Sequence, residues 1–375
     1  MAATIKSVEV IAVSLPMLKP VVMAGEEIRR ADNVLVRIET DNGVAGWGEA
    51  APAPMHTGDT LEGIVAAIEY LRSVLFGRDA RDITGAIAAM DGRMYGNHGA
   101  KAAVEIALHD LAGKESGIPV HALLGARKRD RVSLLSVIGG GDFEGDLRDA
   151  QIKKQAGVTA YKIKVGIDSP ERDAARTREI CKILGADMLI SADANQGYTA
   201  DQALAYVRAV DGSGLDFFEQ PVVSGDLDAM AKIAAATTIA IGADEGIHSI
   251  ADIQSHHARK AARGVSLKAI KLGGIRGVKE ASELCHRLGM SVNISCKTGE
   301  SSVACAAALH AAVVVPDVAW ALTLTHGGLA EDVVRTPLAV ANGFAALGDR
   351  PGLGIDVDDD RVRRHRIPAT ARRLS

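Results

Sequence analysis

The hydrophobic pattern along the chain has two rhythms. In the first fifty residues, SVEVIAVSL (7–15) and NVLVRIET (33–40) alternate apolar and polar positions, as half-buried strands do. TDNGVAGWGEA (40–50) adds a turn signal and a short strand. Between the first two runs, KPVVMAGEEIRRAD (19–32) is polar, carries Pro and Gly, and reads as a loop. The period then lengthens to that of amphipathic helices in DTLEGIVAAIEYLRSVL (59–75) and GAKAAVEIALHDLAGKESG (99–117). Residues 1–128 are therefore expected to form an α+β domain.

From residue 129 short apolar runs alternate with helical segments. The runs are RVSLLSVIGG, AYKIKVG, MLISADAN, LDFFEQP, IAIGADEG, VSLKAIKLGG and MSVNISC. The helices between them are punctuated. Ser169, Pro170 and Gly185 supply a cap, a first-turn proline and a terminating glycine. Thr199 and Gln202 form a capping box, and Ser249 caps the segment after it. Strand–helix repetition at roughly 25–30 residues per unit predicts a parallel sheet. Seven or eight units predict a closed (β/α)7β barrel of the TIM type over 129–345, rather than an open doubly wound sheet. No GxGxxG or Walker-type loop follows any of the runs, against a dinucleotide-binding fold.

Closure changes the meaning of YKIKVG (161–166). Period two puts Lys162 and Lys164 on one face, away from Tyr161, Ile163 and Val165. On an open antiparallel sheet that face would meet water. In a barrel it points inward, where isolated ammonium groups are costly and need compensating charge. Compensation is available at the ends of the following runs: Asp193 with Asn195, then Glu219, then Asp244 with Glu245, and then Lys268. The C-terminal ends of barrel strands are where such folds build active sites. Three converging carboxylates form an oxygen-rich site suited to Mg²⁺ or Mn²⁺. Lysines on either side of such a site can remove a proton from the carbon next to a carboxylate.

Composition narrows the partners. A net charge of −4, from 43 basic and 47 acidic residues, gives no basic footprint for nucleic acid or an anionic membrane. The expected partner is a small-molecule carboxylate. No apolar run is long enough to span a bilayer. The N-terminus lacks signal-peptide grammar, and the four cysteines form no CxxC pair, so a cytoplasmic protein with free thiols is expected. The eleven histidines include no HExxH; His109 and His310 read as helix packing or surface residues.

YKIKVG, DANQGY, FEQP, ADEG and SLKAIKLGGI, in this order and spacing, resemble the enolase superfamily, in particular its muconate lactonizing enzyme subgroup. Enolase-type sites use a Lys or His base with Mg²⁺, and the resemblance implies the same chemistry here. The resemblance implies Asp193, Glu219 and Asp244 as metal ligands, and Lys164 and Lys268 as an acid/base pair. Lys162 would tune Lys164 or contact the substrate carboxylate, while Asn195 and Glu245 would hold ligands and Lys268 in place. It also implies that GWGEA and the polar loop belong to a capping domain to which RPGLGIDVDDDRV, within 346–375, returns, and that the chain forms a homo-oligomer. The loop 19–33 is expected to close over the site. Lys271, three residues beyond Lys268, faces away in a regular strand and reads as structural.

Two segments bear on the substrate. SCKTGESS (295–302) places Lys297 and Glu300 where they could touch a polar substrate or pair with each other. WALTLTHGG (320–328) lacks the Asp-x-Asp that the family's dipeptide epimerases use. Trp320 there could present an indole face to a cation, as in relatives acting on proline betaines, or fill the core. These residues lead to an expected epimerase, racemase or dehydratase acting on hydroxyproline or a proline betaine. The alternatives are a muconate-type cycloisomerase or an N-acylamino acid or dipeptide racemase. Outside the family stand a Schiff-base lyase using a buried lysine and a non-catalytic binding barrel.

Overall fold

The computed structural model describes residues 3–23, 26–139 and 142–368. Strands β1 (Ile5–Met23), β2 (Glu26–Thr40) and β3 (Ala45–Ala50) form an antiparallel sheet in that order. The segment that reads as a loop is instead the outer part of the β1–β2 hairpin. Val21 pairs with Ile28, Val22 with Glu27 and Met23 with Glu26; Ala24 and Gly25 lie outside the described residues. A register shift between Pro16 and Val21 explains the mixed signal. Prolines 16 and 20 break the ladder there without ending the strand.

The sheet packs on helices α1 (Leu61–Leu71), α2 (Ile83–Arg93) and above all α3 (His98–Ser116). Gly48 makes the close approach possible: a Cβ there would sit 1.9 Å from Ala103 O of α3. The short helix α4 (Val120–Leu124) leads out of this layer.

Strand β4 (Arg131–Ser133) lies outside the barrel, paired with β14 (Phe344–Ala346), which in turn pairs with β13 (Val340–Ala341). The barrel begins at β5 (Leu135–Ile138) and alternates strictly. It runs through α5 (Phe143–Gln155), β6 (Ala160–Lys164), α6 (Pro170–Leu184), β7 (Leu189–Asp193), α7 (Ala200–Ala209) and β8 (Phe217–Glu219). It continues through α8 (Leu227–Ala235), β9 (Ala240–Ala243), α9 (Ile250–Ala258) and β10 (Gly264–Leu267). After the single turn α10 (Ala269–Leu272) come α11 (Ile275–Leu288), β11 (Ser291–Ser295), α12 (Ser302–Val314) and β12 (Leu322–Thr323). The eight strands β5 to β12 are parallel neighbours in chain order, and a bridge between Leu134 and Leu322 closes the ring. The fold is a (β/α)7β barrel under an α+β cap. Ser169, Thr199 with Gln202, and Ser249 all cap their helices.

The first residues of β5 to β9 form the barrel floor: Leu135, Ala160, Leu189, Phe217 and Ala240 cluster with Trp320 and Ala321. The tail folds back as α13 (Asp359–His365), after which Ile367 N–H donates to Ala12 O of β1 at 2.8 Å. Cap and barrel are also sewn together near the strand ends. Asn33 Nδ2 donates to Glu49 Oε1 and to Gly299 O, both at 2.8 Å. Ser301 Oγ donates to Glu49 Oε2 at 2.6 Å, and Ala304 N–H to the same oxygen at 3.0 Å.

Candidate active site

Parallel register puts the charged strand ends side by side. Lys164 pairs with Asp193, Asp193 with Glu219, and Glu219 with Gly242, two residues before Asp244. All three carboxylates are at most 3% exposed. Lys162 Nζ lies 2.7 Å from Glu219 Oε2 and 3.6 Å from Asp193 Oδ2. Lys164 Nζ donates to Asp193 Oδ2 at 2.7 Å and to Asn195 Oδ1 at 2.5 Å. On the other side of the cluster Lys268 donates to Asp244 Oδ2. Asn195, held at a φ of 41°, also donates through Nδ2 to Glu245 Oε1 at 3.1 Å. The eight residues singled out on strands β6 to β10 are thus brought together at one rim.

Electrostatics follow from burial opposed by pairing. Burial pushes the Asp244 carboxyl up, but the ammonium groups of Lys268 and Lys271 outweigh it and hold it well below the usual range. Burial pulls Lys162 and Lys268 down, yet Glu219 beside the first and Asp244 beside the second leave both raised. Glu219 is different: burial dominates and its carboxyl is raised. Neither of its oxygens accepts a geometrically sound hydrogen bond. A buried carboxylate between two others, with one ammonium at its edge and no well-aligned hydrogen bond, is the arrangement a cation satisfies. The three residues therefore fit a divalent metal ion. His56, Asp244 and Glu245 form a second cluster with ligand atoms within 4.8 Å of one another. We favour the all-carboxylate set, because hard divalent cations select oxygen and Glu219 is the buried carboxylate with no well-aligned hydrogen bond.

Three participants are not evident from the sequence pattern. Lys271 is fully buried, and its Nζ donates to Asp244 Oδ1 at 2.6 Å, to Ser266 O at 3.1 Å and to Asp244 O. It faces the site rather than away from it. The chain leaves the strand at Lys268 for the turn α10, and helical spacing brings residues three apart to one side. Gln220 Oε1 accepts from Asp244 N–H at 2.9 Å and Gly246 N–H at 3.2 Å, fixing the end of β9. His56 arrives from the cap, 3.5 Å from Glu245 Oε1. Burial, then the Lys268 charge, lower its pKa to about 3, so it is neutral.

Lys297 and Glu300 separate. Lys297 lines a cavity of about 460 Å³ that also contains Lys164, Lys268, Asp193 and Asp244. Glu300 is turned behind the wall, where Oε2 accepts the Lys297 backbone N–H at 2.9 Å. Burial, then neighbouring Glu49, raise its carboxyl to about 8, and it does not reach the cavity. Met17, Lys19, Pro20 and Val21 of the hairpin arm also line the cavity. His109 and His310 are buried packing residues: His109 Nδ1 lies 2.9 Å from Glu105 O, and His310 Nδ1 accepts from His121 N–H at 3.0 Å.

Trp320 is not at the rim. Its ring stacks on Phe217 with centroids 4.0 Å apart at 3°. It occupies the space that side chains at positions 242 and 264 would need: a Cβ on Gly264 would lie 2.3 Å from the indole. Trp320 precedes β12, so it sits at the floor, not the catalytic end. Trp320→Ala is expected to destabilise the protein by about 3–5 kcal/mol, the range for emptying a buried aromatic site. Urea unfolding reads this, and an unchanged substrate preference in the surviving folded protein separates a floor residue from a substrate contact.

A (β/α) barrel with three carboxylates and flanking lysines at one rim, under an antiparallel cap, defines the metal-dependent isomerases of the enolase superfamily. Residues 147–361 match the enolase C-terminal domain-like model, and residues 6–125 the N-terminal domain model of mandelate racemase / muconate lactonizing enzyme. The chain belongs to that family, in its muconate lactonizing enzyme subgroup. It is 32% identical to a chloromuconate cycloisomerase of Cupriavidus pinatubonensis, over 94% of this chain and 96% of the relative. It is 31% identical to an N-succinyl-L-Arg/Lys racemase of Bacillus cereus, over 96% and 97%. The crystal structure of a muconate lactonizing enzyme from Pseudomonas fluorescens complexed with muconolactone superposes with a TM-score of 0.93 at 28% identity, covering 98% of this chain and 100% of that one. No helix among the described residues is long and apolar enough to cross a membrane.

Proposed function

We propose that the protein is a Mg²⁺-dependent racemase or epimerase that moves the proton on the carbon next to a substrate carboxylate. One observation carries this reading. Lys164 and Lys268 approach the acidic cluster from opposite sides, on β6 and after β10, and both line the same cavity. A substrate between them meets an amine on each face. One lysine takes the α-proton on Nζ, and the other delivers a proton to the opposite face. Asp193, Glu219 and Asp244 would hold the metal, which when bound supplies charge against the negative charge developing on the carboxylate. Lys162, paired with Glu219, keeps the acidic cluster compensated beneath the reacting atoms.

Racemases and epimerases among the relatives support this outcome. The same lysines could instead serve cycloisomerisation, the activity named for other relatives. The proline-betaine expectation loses its basis, since it rested on Trp320. Among the described residues the cavity wall has no Phe, Tyr or Trp to face a quaternary ammonium.

The test is α-proton exchange in D₂O, followed by NMR and mass spectrometry, on pooled N-acylamino acids, dipeptides, proline derivatives, acid sugars and muconates. Exchange is expected in Mg²⁺. After EDTA it should fall at least about 10²-fold and return with added Mg²⁺. Exchange that persists in EDTA would overturn the metal-dependent reading. Conversion of muconate without exchange at any α-carbon would replace racemisation with cycloisomerisation.

A further inference from the structure

Helix α6 buries charge on the side that packs against the barrel. Asp173 in its first turn is 1% exposed, and Asp146 of α5 is 2% exposed. Arg176, three residues after Asp173, bridges the two: Nη2 donates to Asp173 Oδ1 at 2.8 Å and Nη1 to Asp146 Oδ2 at 3.1 Å. A buried ion pair gains little stability over apolar packing of the same volume. The remaining hydrogen bonds of this group show what else it does. Arg176 Nη2 also donates to the main-chain O of Lys164 at 2.6 Å. Asp173 Oδ2 accepts from Gly166 N–H at 2.8 Å and from the Tyr198 hydroxyl at 2.7 Å. The described cavity wall includes none of Asp146, Asp173, Arg176 and Tyr198.

The main chain held in this way is the end of β6. The β5–β6 ladder stops at Ile138 and Ile163, one residue short of Lys164. Main-chain groups beyond a ladder need other partners, and here the Arg–Asp pair takes one on each side of Val165. On the β7 side Val165 N–H donates to Asp193 O at 3.0 Å. The Lys164 stem is closely bounded as well, since a Cβ on Gly139 would lie 2.7 Å from Lys164 Cβ. Gly166, at a φ of 85°, lets this loop lie on the one that carries Asn195: a Cβ there would sit 2.8 Å from Ala194 O. Tyr198 ties that second loop to Asp173. Lys268 is held by a different device, the turn α10, in which its O accepts from Lys271 N–H at 3.1 Å and Leu272 N–H at 3.2 Å.

We propose that Arg176 is a positioning residue for Lys164: with Asp173 and Tyr198 it fixes the main chain at the end of β6, and so the reach of the Lys164 ammonium, while Lys268 is independent of it. This rests on the reading above of one lysine per substrate face. A network outside the barrel then governs proton transfer on one face only.

The test measures α-proton exchange in D₂O on the Mg²⁺-loaded protein, with N-acetylleucine, alanyl-leucine and proline, each as both enantiomers at the exchanging carbon. In Lys268→Ala the exchange reads Lys164 alone, and in Lys164→Ala it reads Lys268 alone. Adding Arg176→Met to Lys268→Ala is expected to lower exchange by about 10²-fold, the scale for misplacing a reacting group by about 1 Å. Added to Lys164→Ala, the same change should cost less than about threefold, as for independent sites. Arg176→Met leaves two carboxylates buried together, so Tyr198→Phe, which removes only a hydroxyl, is the companion variant. It should cost about fivefold, again only beside Lys268→Ala. Crystal structures of the two single variants with Mg²⁺ give a readout that needs no turnover: the Lys164 ammonium should move, by about 1 Å in Arg176→Met, while Lys268 stays in place. An equal loss in both lysine backgrounds, no loss in either, or an unmoved Lys164 in the variant structures would overturn the proposal. Should the wild type exchange none of these probes, or both lysine variants exchange both enantiomers as the wild type does, the proton-transfer reading fails and the structures alone decide. A displaced Lys164 beside an unmoved Lys268 then supports the positioning role, and an unmoved Lys164 overturns it.

Discussion

Lys268→Ala is expected to lower racemisation by about 10³-fold or more while still exchanging the α-proton of one enantiomer in D₂O, and Lys164→Ala to do the same for the other enantiomer. The expectation comes from placement. Asp193, Glu219 and Asp244 lie on adjacent strands, and the two lysines stand at opposite ends of that row. Removing one leaves the amine on the other face able to take and return its own proton, which gives exchange without inversion. Chiral chromatography with deuterium counting separates the two events. Wild-type-like exchange of both enantiomers in either variant would overturn one lysine per face. Loss of exchange on both, with the fold and metal affinity intact, would do so equally.

The second large effect concerns stability. Lys271→Ala is expected to cost about 3–5 kcal/mol, the range for breaking a buried ion pair by removing one partner. Lys271 is fully buried, and its ammonium serves Asp244 Oδ1 together with two main-chain carbonyls. Lys268 cannot replace it, because its own ammonium is on the other carboxylate oxygen. Urea unfolding in EDTA measures the cost without a contribution from bound metal. Lys271→Met, which keeps the volume, should recover little of it. A loss below about 1 kcal/mol for both variants would reduce Lys271 to packing.

The legible parts of this protein are those governed by local periodicity. YKIKVG places two lysines on an inner face because a strand repeats every two residues, and the strand–helix alternation requires a barrel in which that face is buried. Sequence and structure diverge where the period changes or where partners are distant in the chain. KAIKLGG reads as a continuing strand, yet it makes a helical turn ended by Gly273 in the left-handed region at φ 73°. The paired glycines are the available signal, and helical spacing puts Lys268 and Lys271 on one side. Trp320 lies at the opposite end of its strand from the one its sequence neighbours suggest. β12 is only two residues long, so its direction is set by pairing with β11 and not by any visible pattern. Nearness in sequence offers Lys297 as the partner of Glu300, and Glu300 does accept the Lys297 backbone N–H at 2.9 Å, but its carboxyl is also raised by Glu49, more than two hundred residues earlier in the chain. His56 comes from a loop whose sequence says nothing of the barrel rim it reaches.

The indole on the barrel floor has one more consequence. The protein has two tryptophans, and the architecture gives one to each layer: Trp47 in the cap sheet and Trp320 under the barrel. Trp320 stacks on Phe217, shares the floor cluster with Leu135 of the first barrel strand, and lies two residues before Leu322, whose bridge to Leu134 closes the ring. The two emissions are therefore built-in clocks for assembly. One reports when the cap sheet forms, and the other reports the final stitch of the ring, a contact whose loop-closure entropy should make it late.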